Sequence, residues 1–584
     1  MYNIDYRISL KYKLLHIKYL SVIFKGFNYL LEYGFLKTID KILKKLLLLQ
    51  SLNMNYVLYQ SIKEKHLQEK QFTSDDSIID FIVIIDNLNK NILKKLIMSF
   101  KKQTVKKWKL HIIDIGLYKS KYINENVLKN ININYYEFSN NESISEILNT
   151  IIDSIQNNYI GFLDQYCFLH SSAIYVILNH FKNENADFLY SDEVFYKNNK
   201  IIKRVYKTEF SFISLRAFNY ITNICVFKKS LLKLIWSLPK YKYYNDWYYD
   251  LIFKLTENAG IIRKIAKLLC FKNIIGKNNS CYLLNNNKVL IDHLLRANLN
   301  SHVQETSIPL IKKINYSIID NPLISILIPT MDHVDDLSKC ILSILNKSTY
   351  SNYEIILIEN NSKNENTFKY YKSLMKYENI KVIFWEYNYF NYSAINNYGF
   401  KYANGEYIIF LNNDIEIIAP NWIQEMLMFA QNDSTGIVGA KLYYSDKTIQ
   451  HAGIYFNREY LPVHNHKYFH KNKTGSYYEL VIPRYVSAVT GACLMISSNI
   501  FKEVNGFDEQ FEIDFNDIDL CMKIKESGYS IIWTPYAEAY HYESKSRGYS
   551  DTDNNKYNRY NYESNAFMKK WKSKIINNNL QVVI

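Results

Sequence analysis

Residues Leu323–Ile328 have the sequence LISILI, a short apolar run that directly follows Pro322. A run of this length after a turn residue is typical of a strand buried on both faces. A helical pattern follows at Leu337–Leu345, and a second apolar run follows at Tyr353–Ile358. Strand, helix and strand in this order predict a βαβ unit, in which the two strands lie parallel in one sheet.

The same alternation continues downstream of this unit. Strand candidates lie at Val382–Phe384, Glu406–Leu411 and Gly436–Lys441, and helix candidates lie at Ser393–Tyr402 and Asn421–Phe429. The pattern predicts a mostly parallel sheet that is covered by helices on both faces. Because ligands of such sheets bind at the carboxyl ends of the strands, polar residues directly after strands are the first candidates for a site.

An earlier part of the chain repeats the pattern. Phe81–Ile85 is a short apolar run, Ile92–Phe100 is helical, and Lys109–Ile113 is apolar again. The sequence therefore predicts two tandem α/β units behind a helical N-terminal region. We expect these boundaries: a helical region at 1–75, a first domain at 76–305, a linker at 306–320 and a second domain at 321–584.

Residues 1–75 are rich in Leu, Ile, Tyr and Lys. A basic amphipathic helix of this kind suits either the surface of an anionic bilayer or packing on the protein's own domain. No window of the sequence approaches the roughly 18 apolar residues of a spanning helix. We therefore expect a cytoplasmic protein, with peripheral contact at the inner membrane surface as the one membrane role.

Composition excludes several classes of protein. Hydrophobic residues make up 48% and charged residues 22% of the 584 residues, which is a globular balance. The formal charge of +15 accompanies an excess of Lys, Asn, Ile and Tyr, and zinc-finger or RNA-binding signatures are missing, so we expect no nucleic-acid partner. The seven cysteines are scattered without a CxxC pair, which argues against a disulfide framework and fits a reducing cytosol.

Residues Phe410–Asp414 read FLNND, so an apolar strand runs directly into two amides and a carboxylate. Asp414 is therefore a candidate metal ligand at the edge where ligands are expected. A carboxylate suits Mg²⁺ or Mn²⁺, which keep several waters and complete their coordination with phosphate oxygens of a substrate. The same polar residues could equally form a turn.

Residues 516–519 read NDID and open a helical pattern that closes at Gly528. Asp517 lies in the first turn, where the helix dipole favours an ionised carboxylate. A carboxylate that can accept a proton is what a general base requires. The alternative is that this acidic turn only caps the helix.

The segment His541–Gly548 reads HYESKSRG and follows the apolar run Ile531–Trp533. The imidazole of His541 could complete a metal site. Lys545 and Arg547 could meet diphosphate oxygens, and Arg547 could do so by paired hydrogen bonds. A solvated basic loop is the alternative interpretation of this segment.

Each of these motifs is weak alone, but their order is specific. Over about residues 320–550 the chain resembles glycosyltransferase family 2, whose members share the GT-A fold and use activated nucleotide sugars. The resemblance rests on these segments: Ile328–Thr330, Ile358–Ser362, Asn396–Gly399, Leu411–Asp414, Thr490–Cys493, Gly506–Glu509, Asn516–Cys521 and His541–Gly548. The upstream unit resembles the same fold, so the predicted fold class is α/β with two tandem GT-A-like domains.

The resemblance implies roles for individual residues. Contacts to the nucleotide sugar fall to Pro329, Thr330, Glu359, Asn397, Asn413, Asp414, Gly491, Ala492, Lys545 and Arg547. Asp414 and His541 take the metal-binding positions, and Asp517 takes the position of the catalytic base. The chain departs from the family pattern at two points, because Glu359 stands where aspartate is commoner and Asn412 replaces the first aspartate of the DxD motif.

The implied reaction is a single inverting displacement with Mg²⁺ or Mn²⁺ as cofactor. Asp517 would remove the proton of an acceptor hydroxyl while cations stabilise the leaving nucleoside diphosphate. The implied partners are a nucleotide-sugar donor and a glycan or lipid-linked acceptor, in the assembly of a cell-surface polysaccharide or lipopolysaccharide. The two alternatives are a nucleotidyltransferase, which would release pyrophosphate, and a non-catalytic module that binds carbohydrate or nucleotide.

Two further features in the second unit have competing interpretations. Four histidines cluster in one segment without sharing a clear helix face, so we prefer a variable loop on the acceptor side over a zinc site; they are His451, His464, His466 and His470. Gly491 either lets a substrate approach the backbone closely or forms a tight turn into the next strand.

The first unit resembles a damaged copy of the second. Alignment of the two units places Tyr248 where the second has Asp517, and places Phe271 where the second has His541. Asp164 survives after a strand, but the residues that follow it restore no carboxylate. We therefore predict an inactive domain with a structural or acceptor-binding role, unless a shift of the alignment lets Asp246 replace the base.

Overall fold

A computed structural model describes residues 77–577 apart from 87–88, 117–131, 139–142, 236–238, 240, 242, 275–286, 458 and 543–553. The helical region predicted at 1–75 therefore lies outside the described residues. Lys545 and Arg547 lie outside them as well. Among the helices that the structure describes, none combines the length and the apolar character needed to cross a bilayer.

Within the described residues, the first unit is built on a nine-stranded sheet. Its strands are β1 (Ile79–Ile85), β2 (Trp108–Asp114), β3 (Ile133–Glu137), β4 (Tyr159–Leu163), β5 (Cys167–Leu169), β6 (Phe188–Lys197), β7 (Lys200–Val205), β8 (Ile224–Lys228) and β9 (Ile262–Asn273). Its helices are α1 (Lys90–Lys101), α2 (Ile144–Ser154), α3 (Ala173–Glu184), α4 (Phe212–Ala217), α5 (Tyr244–Asn258) and α6 (Asn287–Arg296), with a 3₁₀ helix at Lys229–Leu234. The strand order is β3-β2-β1-β4-β8-β6-β9-β5, and β7 pairs with β6.

Two antiparallel strand pairs stand apart from the large sheets. They are β10 (Ser301–Glu305) with β11 (Lys312–Tyr316), between the units, and β19 (Ile454–Phe456) with β20 (Pro462–His464), in the second unit. Ile314 of β11 packs in the core of the first unit. The ring of Tyr316 lies 5.8 Å from that of Phe429 in the second unit, and Lys313 donates to the carboxylate of Glu425.

In the part of the chain that the structure describes, the second unit is built on a ten-stranded sheet. Its strands are β12 (Ile324–Thr330), β13 (Tyr353–Glu359), β14 (Ile380–Phe384), β15 (Tyr407–Leu411), β16 (Ile415–Ile417), β17 (Thr435–Tyr443), β18 (Ile449–His451), β21 (Arg484–Tyr485), β22 (Cys493–Ser497) and β23 (Ser530–His541). Its helices are α7 (Val334–Lys347), α8 (Glu365–Leu374), α9 (Tyr392–Phe400), α10 (Trp422–Ala430), α11 (Ser498–Glu503), α12 (Asn516–Glu526) and α13 (Asn554–Asn577).

The two large sheets have the same topology. The order of the second is β14-β13-β12-β15-β22-β17-β23-β16, which matches the first strand for strand. The second sheet is mixed. Six of its strands run in one direction, as predicted: β12, β13, β14, β15, β17 and β23. The prediction is wrong at β22, which runs antiparallel to both β15 and β17, and β16 runs antiparallel to β23. Because β22 runs antiparallel to β15, Leu411 at the end of β15 pairs with Cys493 at the start of β22, beside the Asp414 segment.

The central strand of the second sheet is buried on both faces, as its apolar run predicts. Ile326 and Ile328 face a core that α7, α8 and α10 cover, and Leu327 faces a core that α9, α11, α12 and α13 cover. All three side chains are fully buried. The carboxyl edge of this strand is thus held rigidly between two packed layers, where it can position a site.

Gly405 lies where the chain enters β15, close to the start of β12. A Cβ atom at this position would lie 2.5 Å from the backbone nitrogen of Ser325 and 2.8 Å from the carbonyl oxygen of Leu323. Because backbone atoms in a packed sheet cannot move aside, we expect Gly405→Ala to lower the free energy of unfolding by about 1–3 kcal/mol. Urea unfolding monitored by circular dichroism measures this change.

Gly260→Ala is the control for this substitution. The nearest heavy atom to its added Cβ would be a side-chain oxygen of Asp187 at 3.3 Å, and such an atom can move. We expect a smaller loss of stability in this variant. Equal losses for Gly260→Ala and Gly405→Ala would contradict the explanation by a backbone clash.

Candidate active site

Asp414 and His541 lie side by side beyond the carboxyl end of β15. The two are brought together because β16 pairs antiparallel with β23, so that Ile415 faces His541. Asp414 Oδ1 and His541 Nε2 are 3.2 Å apart, and the side chains keep 17% and 9% of their surface exposed. The pair is therefore desolvated but still accessible to a ligand.

The hydrogen bonds of His541 decide where its ring proton lies. Its Nδ1 atom is 2.7 Å from Oε1 of Gln450, which accepts a hydrogen bond, so Nδ1 carries the hydrogen. Its Nε2 atom is 3.2 Å from the side-chain nitrogen of Asn412, which donates. The Nε2 atom therefore faces both Asn412 and Asp414, on the side of the ring that a ligand can reach.

Thr330 and Asn413 meet at the same edge of the sheet. Thr330 ends β12 and is buried, and its hydroxyl accepts a hydrogen bond from the side-chain amide of Asn413 at 3.3 Å. Pro329 precedes Thr330 on the same strand end. The structure thus places these three predicted nucleotide contacts next to the Asp414 segment.

Glu359 lies at this edge too, because Thr330 of β12 pairs with Glu359 of β13. Its carboxylate accepts hydrogen bonds from the backbone and hydroxyl of Ser362, the latter at 2.8 Å, and from the hydroxyl of Tyr371. The side chain therefore organises the loop that follows β13. Any contact of Glu359 with a nucleotide would add to this internal role.

Asp517 projects from the first turn of α12. The residue before this helix, Phe515, has a left-handed φ of 62°, which is rare and strained for an aromatic residue and is typical of functional turns. The Asp517 Oδ2 atom accepts a hydrogen bond from the backbone N–H of Gly491 at 2.8 Å, and Oδ1 accepts one from Ile518 at 2.8 Å. These bonds fix the orientation of the carboxylate.

The two aspartates of the NDID segment have different surroundings. Burial raises the pKa of Asp517 above its ordinary value, although the N–H groups of Gly491 and Ile518 oppose the rise. Asp519 is fully buried and accepts from Nε1 of Trp571 at 2.7 Å and from Nζ of Lys570 at 2.8 Å. Burial raises the pKa of Asp519 as well, but its bonds to Trp571 and Lys570 anchor α13, whereas Asp517 is bonded to backbone N–H groups and is the candidate for taking up a proton.

The Gly491–Ala492 turn connects the carboxylate of Asp517 to the Asp414 segment. The carbonyl oxygen of Ala492 accepts a hydrogen bond from the backbone of Asn412 at 3.0 Å, while Gly491 donates to Asp517. A Cβ on Gly491 would lie 3.3 Å from the Cβ of Asp517. A series of hydrogen bonds thus runs from Asp517 through this turn to Asn412 and His541.

The side-chain amide of Asn397, a predicted nucleotide contact, makes its hydrogen bonds within the protein. Its amide nitrogen donates to the carbonyl of Phe507 and to Glu509, each at 3.0 Å, and its oxygen accepts from the backbone of Phe507 at 2.9 Å. Every hydrogen-bonding direction of the amide is used, apart from one oxygen lone pair. In this structure Asn397 holds the turn at residues 506–509.

The histidine-rich segment forms pairs instead of one cluster. Nδ1 of His451 lies 3.1 Å from Nδ1 of His464, and burial lowers the pKa of His451 well below its ordinary value. His466 pairs with Glu479 at 2.8 Å, and His470 accepts from the backbone of Asn472. In the described ranges, no group of three or more His, Cys, Asp or Glu side chains is arranged to hold a metal ion.

Sequence reasoning missed Gln450, which orients His541. No local signal could have identified it, because an isolated glutamine in a strand has no characteristic spacing. Sequence reasoning also misaligned the first unit. There β5 pairs with β9 so that Cys167 faces Lys272, as Ile415 faces His541, and the predicted counterpart Phe271 is therefore wrong by one residue.

Comparison with known protein families identifies the family to which both units belong. The model of glycosyl transferase family 2 matches residues 82–269 and 325–504, which together are more than half of the chain. The chain belongs to glycosyltransferase family 2. A model described as glycosyl transferase family group 2 also matches residues 443–583. The predicted family, the enzyme class and the α/β fold class with tandem GT-A-like domains are confirmed.

Two related proteins and one solved structure illustrate what this family 2 glycosyltransferase is similar to. It is 30% identical over 525 residues to the uncharacterized protein y4gI of Sinorhizobium fredii (strain NBRC 101917 / NGR234), a match that covers 85% of this chain and 56% of that protein. It is 27% identical over 350 residues to the O-antigen biosynthesis protein RfbC of Myxococcus xanthus, which covers 59% and 27% of the two chains. The chain thus spans about half of the first relative and about a quarter of the second.

Among solved structures, GalNAc-T7 with UDP, GalNAc and Mn²⁺ matches at 19% identity and a TM-score of 0.33. This match covers 38% of the family 2 chain and 43% of GalNAc-T7. The family assignment does not depend on this distant likeness, since it rests on the sequence matches in both units.

Proposed function

We propose that the second unit transfers a sugar from a nucleoside-diphosphate donor to a hydroxyl group of a glycan or lipid-linked glycan, with inversion at the anomeric carbon. The observation that supports this most directly is the oriented carboxylate of Asp517. It is hydrogen-bonded to the turn that also contacts the segment with Asp414 and His541. The proposed base and the proposed phosphate-binding edge are thus separated by one short turn, which supports this assignment.

The residues at this edge fit a divalent cation. Asp414 offers a carboxylate oxygen, and His541 offers the lone pair of Nε2, since Gln450 binds its other ring nitrogen. Mg²⁺ and Mn²⁺ need few protein ligands, because water and the phosphate oxygens of a substrate complete their coordination. Such a cation would offset the negative charge that develops on the leaving diphosphate.

The chemistry assigned to the protein is a proton transfer at Asp517. Its carboxylate accepts the proton of the acceptor hydroxyl, whose oxygen forms a bond to the anomeric carbon of the donor sugar. The bond from that carbon to the diphosphate oxygen breaks, and its electron pair leaves with the nucleoside diphosphate. Attack from the face opposite to the leaving group inverts the anomeric configuration.

The acceptor class and the compartment are part of the same proposal. RfbC is named as an O-antigen biosynthesis protein, so we propose a cell-surface polysaccharide or lipopolysaccharide as the product. Six cysteines of the described residues are buried free thiols, which suits a reducing compartment. We therefore propose action in the cytosol, at the inner face of the membrane where a lipid-linked acceptor is accessible.

Product analysis tests the proposed function. The full chain is incubated with a panel of UDP, GDP and dTDP sugars, Mn²⁺ and a lipid-linked glycan fraction. Release of nucleoside diphosphate with transfer of the sugar is the expected result, and proton NMR of the product should show the opposite anomeric configuration to the donor. Release of pyrophosphate would indicate nucleotidyl transfer instead, and tight binding without turnover would indicate a binding module.

Gln450→Leu tests whether the orientation of His541 matters. The substitution removes the acceptor of the Nδ1 hydrogen, so the ring can rotate and take the other tautomer. We expect the affinity for Mn²⁺ in the presence of a nucleoside diphosphate to fall by about 10–100-fold. Calorimetric titration measures it, and Gln450→Glu, which keeps an acceptor oxygen, should retain most of the affinity. An unchanged affinity in the leucine variant would contradict this role.

A further inference from the structure

The first unit contains a buried charged cluster at the edge that corresponds to the active site of the second. Nζ of Lys272 lies 3.2 Å from Oδ2 of Asp164 and 2.8 Å from the side-chain oxygen of Asn223. Asn223 donates in turn to Glu193 at 2.6 Å. Burial would lower the pKa of Lys272, but the Asp164 carboxylate helps to raise it above its ordinary value, so the ammonium keeps its charge.

Strand pairing relates this cluster to the second unit residue by residue. Because β4 and β15 occupy the same place in the two sheets, Asp164 directly after β4 corresponds to Asn412 directly after β15. Lys272 corresponds to His541 for a similar reason. Lys272 pairs with Cys167, three residues after Asp164, and His541 pairs with Ile415, three residues after Asn412. The two pairs also have the same separation. Nζ of Lys272 lies 3.2 Å from Oδ2 of Asp164, and Nε2 of His541 lies 3.2 Å from the side-chain nitrogen of Asn412. A fixed ammonium thus lies in the first unit where His541 lies in the second.

A tyrosine of the second unit fills the neighbouring position. The pairing of β8 with β4 and of β22 with β15 makes Thr222 the counterpart of Gly491. The hydroxyl of Tyr477 lies 3.2 Å from that of Thr222, and its ring packs edge-on against Phe218 at 5.0 Å. Burial raises the pKa of Tyr477 well above its ordinary value, and the charge of Glu193 adds to this effect.

The contact between the units continues along the same segment of the second unit. Tyr478 also packs edge-on against Phe218, at 4.8 Å. Ile482 is buried in the core of the first unit, and the hydroxyl of Ser214 donates to the carbonyl of Pro483 at 3.0 Å. Residues 477–483 of the second unit are therefore an integral part of the packing of the first.

We propose that Lys272 is a built-in cation in place of a divalent metal, and that the first unit's site docks Tyr477 of the second unit instead of a nucleotide sugar. The comparison with a metal position rests on the function proposed for the second unit. The sequence alignment supports the same conclusion, since it places Tyr248 where the second unit has Asp517, and the Tyr248 hydroxyl donates to the sulfur of Cys225 at 3.3 Å. The first unit then serves as a docking domain for the catalytic unit.

Replacing Lys272 by the residue of the second unit tests the built-in cation. In an Asp414→Asn background, which removes the proposed carboxylate ligand of the second unit, Lys272→His should create an Asp164–histidine pair. We expect Mn²⁺ alone to raise the melting temperature of this variant by about 2 °C or more. Lys272→Met, which fills the space without a ligand, should show no response to Mn²⁺.

Two outcomes of this experiment overturn the built-in cation. One is an equal Mn²⁺ response in the parent protein with Lys272 intact, and the other is no response in a Lys272→His variant that circular dichroism shows to be folded. If Lys272→His does not fold, Lys272→Asn provides the second variant, because its shorter side chain leaves room for Mn²⁺ beside Asp164. The readout needs no sugar transfer, so it is independent of the proposed activity.

Binding stoichiometry tests the docking of Tyr477. The full chain is titrated calorimetrically with UDP, GDP and ADP in Mn²⁺, and we expect one site per chain, whose affinity Asp414→Asn lowers. Two sites, or one site whose affinity Asp414→Asn leaves unchanged, would overturn the inference while a transferase activity could stand. A complete lack of binding would contradict the proposed function, and the Mn²⁺ response of Lys272→His would still decide the inference.

Tyr477→Ala provides a variant for the same titration. Removal of the ring opens the space next to Thr222, and its effect is compared with Tyr468→Ala, an exposed ring that stacks on Tyr444 of its own unit. We expect Tyr477→Ala alone to lower the melting temperature and to leave the nucleotide affinity of the second unit unchanged. Equal melting temperatures for the two variants would show that Tyr477 does not dock the units and would overturn the inference.

Discussion

Asp517→Asn should lower turnover by about 10²–10⁴-fold, the usual loss when a general base is removed. The amide keeps an oxygen that can accept the hydrogen bond from Gly491 and loses the local bond from Ile518, but it cannot take up a proton. The affinity for a nucleoside diphosphate should be unchanged, because Asp414 and His541 stay in place. Initial rates at saturating donor and calorimetric titration measure the two quantities.

Asp519→Asn is the matched control, two residues along the same helix. Its carboxylate anchors Trp571 and Lys570, so the substitution should lower the melting temperature and keep most of the turnover. An Asp517→Asn enzyme with normal turnover would remove Asp517 from the mechanism. If Asp519→Asn lost as much turnover as Asp517→Asn, the loss would reflect disruption of α12 and not the removal of a base.

The pH dependence follows from the raised pKa of Asp517. A base works when it is ionised, so turnover should fall as the pH drops through the pKa of Asp517. Because burial raises this pKa, the acid limb of the profile should lie above the ordinary aspartate value of 3.8. The residual activity of Asp517→Asn should lack this limb.

Asp414→Asn should weaken binding of a nucleoside diphosphate in Mn²⁺ and lower transfer, with a combined loss of about 10²–10³-fold. The substitution keeps the shape of the side chain but removes the charged oxygen that lies beside His541. Without this charge a divalent cation would be bound more weakly, so less positive charge would be available to the leaving diphosphate. Calorimetry with and without Mn²⁺ separates the metal-dependent part of the affinity.

Glu416→Gln is the control for this second substitution. Glu416 lies two residues after Asp414 and pairs with Lys347 at 3.4 Å at the surface, where such pairs contribute little. We expect its nucleotide affinity and its response to Mn²⁺ to match those of the parent protein. The metal proposal would be wrong if Asp414→Asn bound the nucleotide as tightly as Glu416→Gln in Mn²⁺.

The strands that carry the site were predictable because their signal is local. The run at Leu323–Ile328 became β12, and the FLNND segment ends β15 with Asp414 beyond it. Burial on both faces requires an unbroken apolar run, and a run of strand length beside a turn residue can be identified without its neighbours. The ordered motifs then fixed the family, which the match in both units confirms.

The direction of strand pairing was not predictable from these runs. A buried strand has the same apolar pattern whether its neighbour is parallel or antiparallel, so the pattern alone does not determine the direction of β22. Its reversal places Gly491 and Ala492 between Asp517 and Asn412. The same limit explains the error at Phe271, because a slip of one residue changes which side chain faces the loop, and only the pairing of β5 with β9 identifies Lys272.

The sequence by itself determined the two α/β units, the family and the segments that hold Asp414, Asp517 and His541. The tertiary structure decided which partner each side chain has: Gln450 for His541, Gly491 for Asp517, and Thr222 of the first unit for Tyr477 of the second. The physical reason is that apolar periodicity and capping act within about one turn or strand of the chain, whereas these contacts join residues that only the packing of sheets brings together.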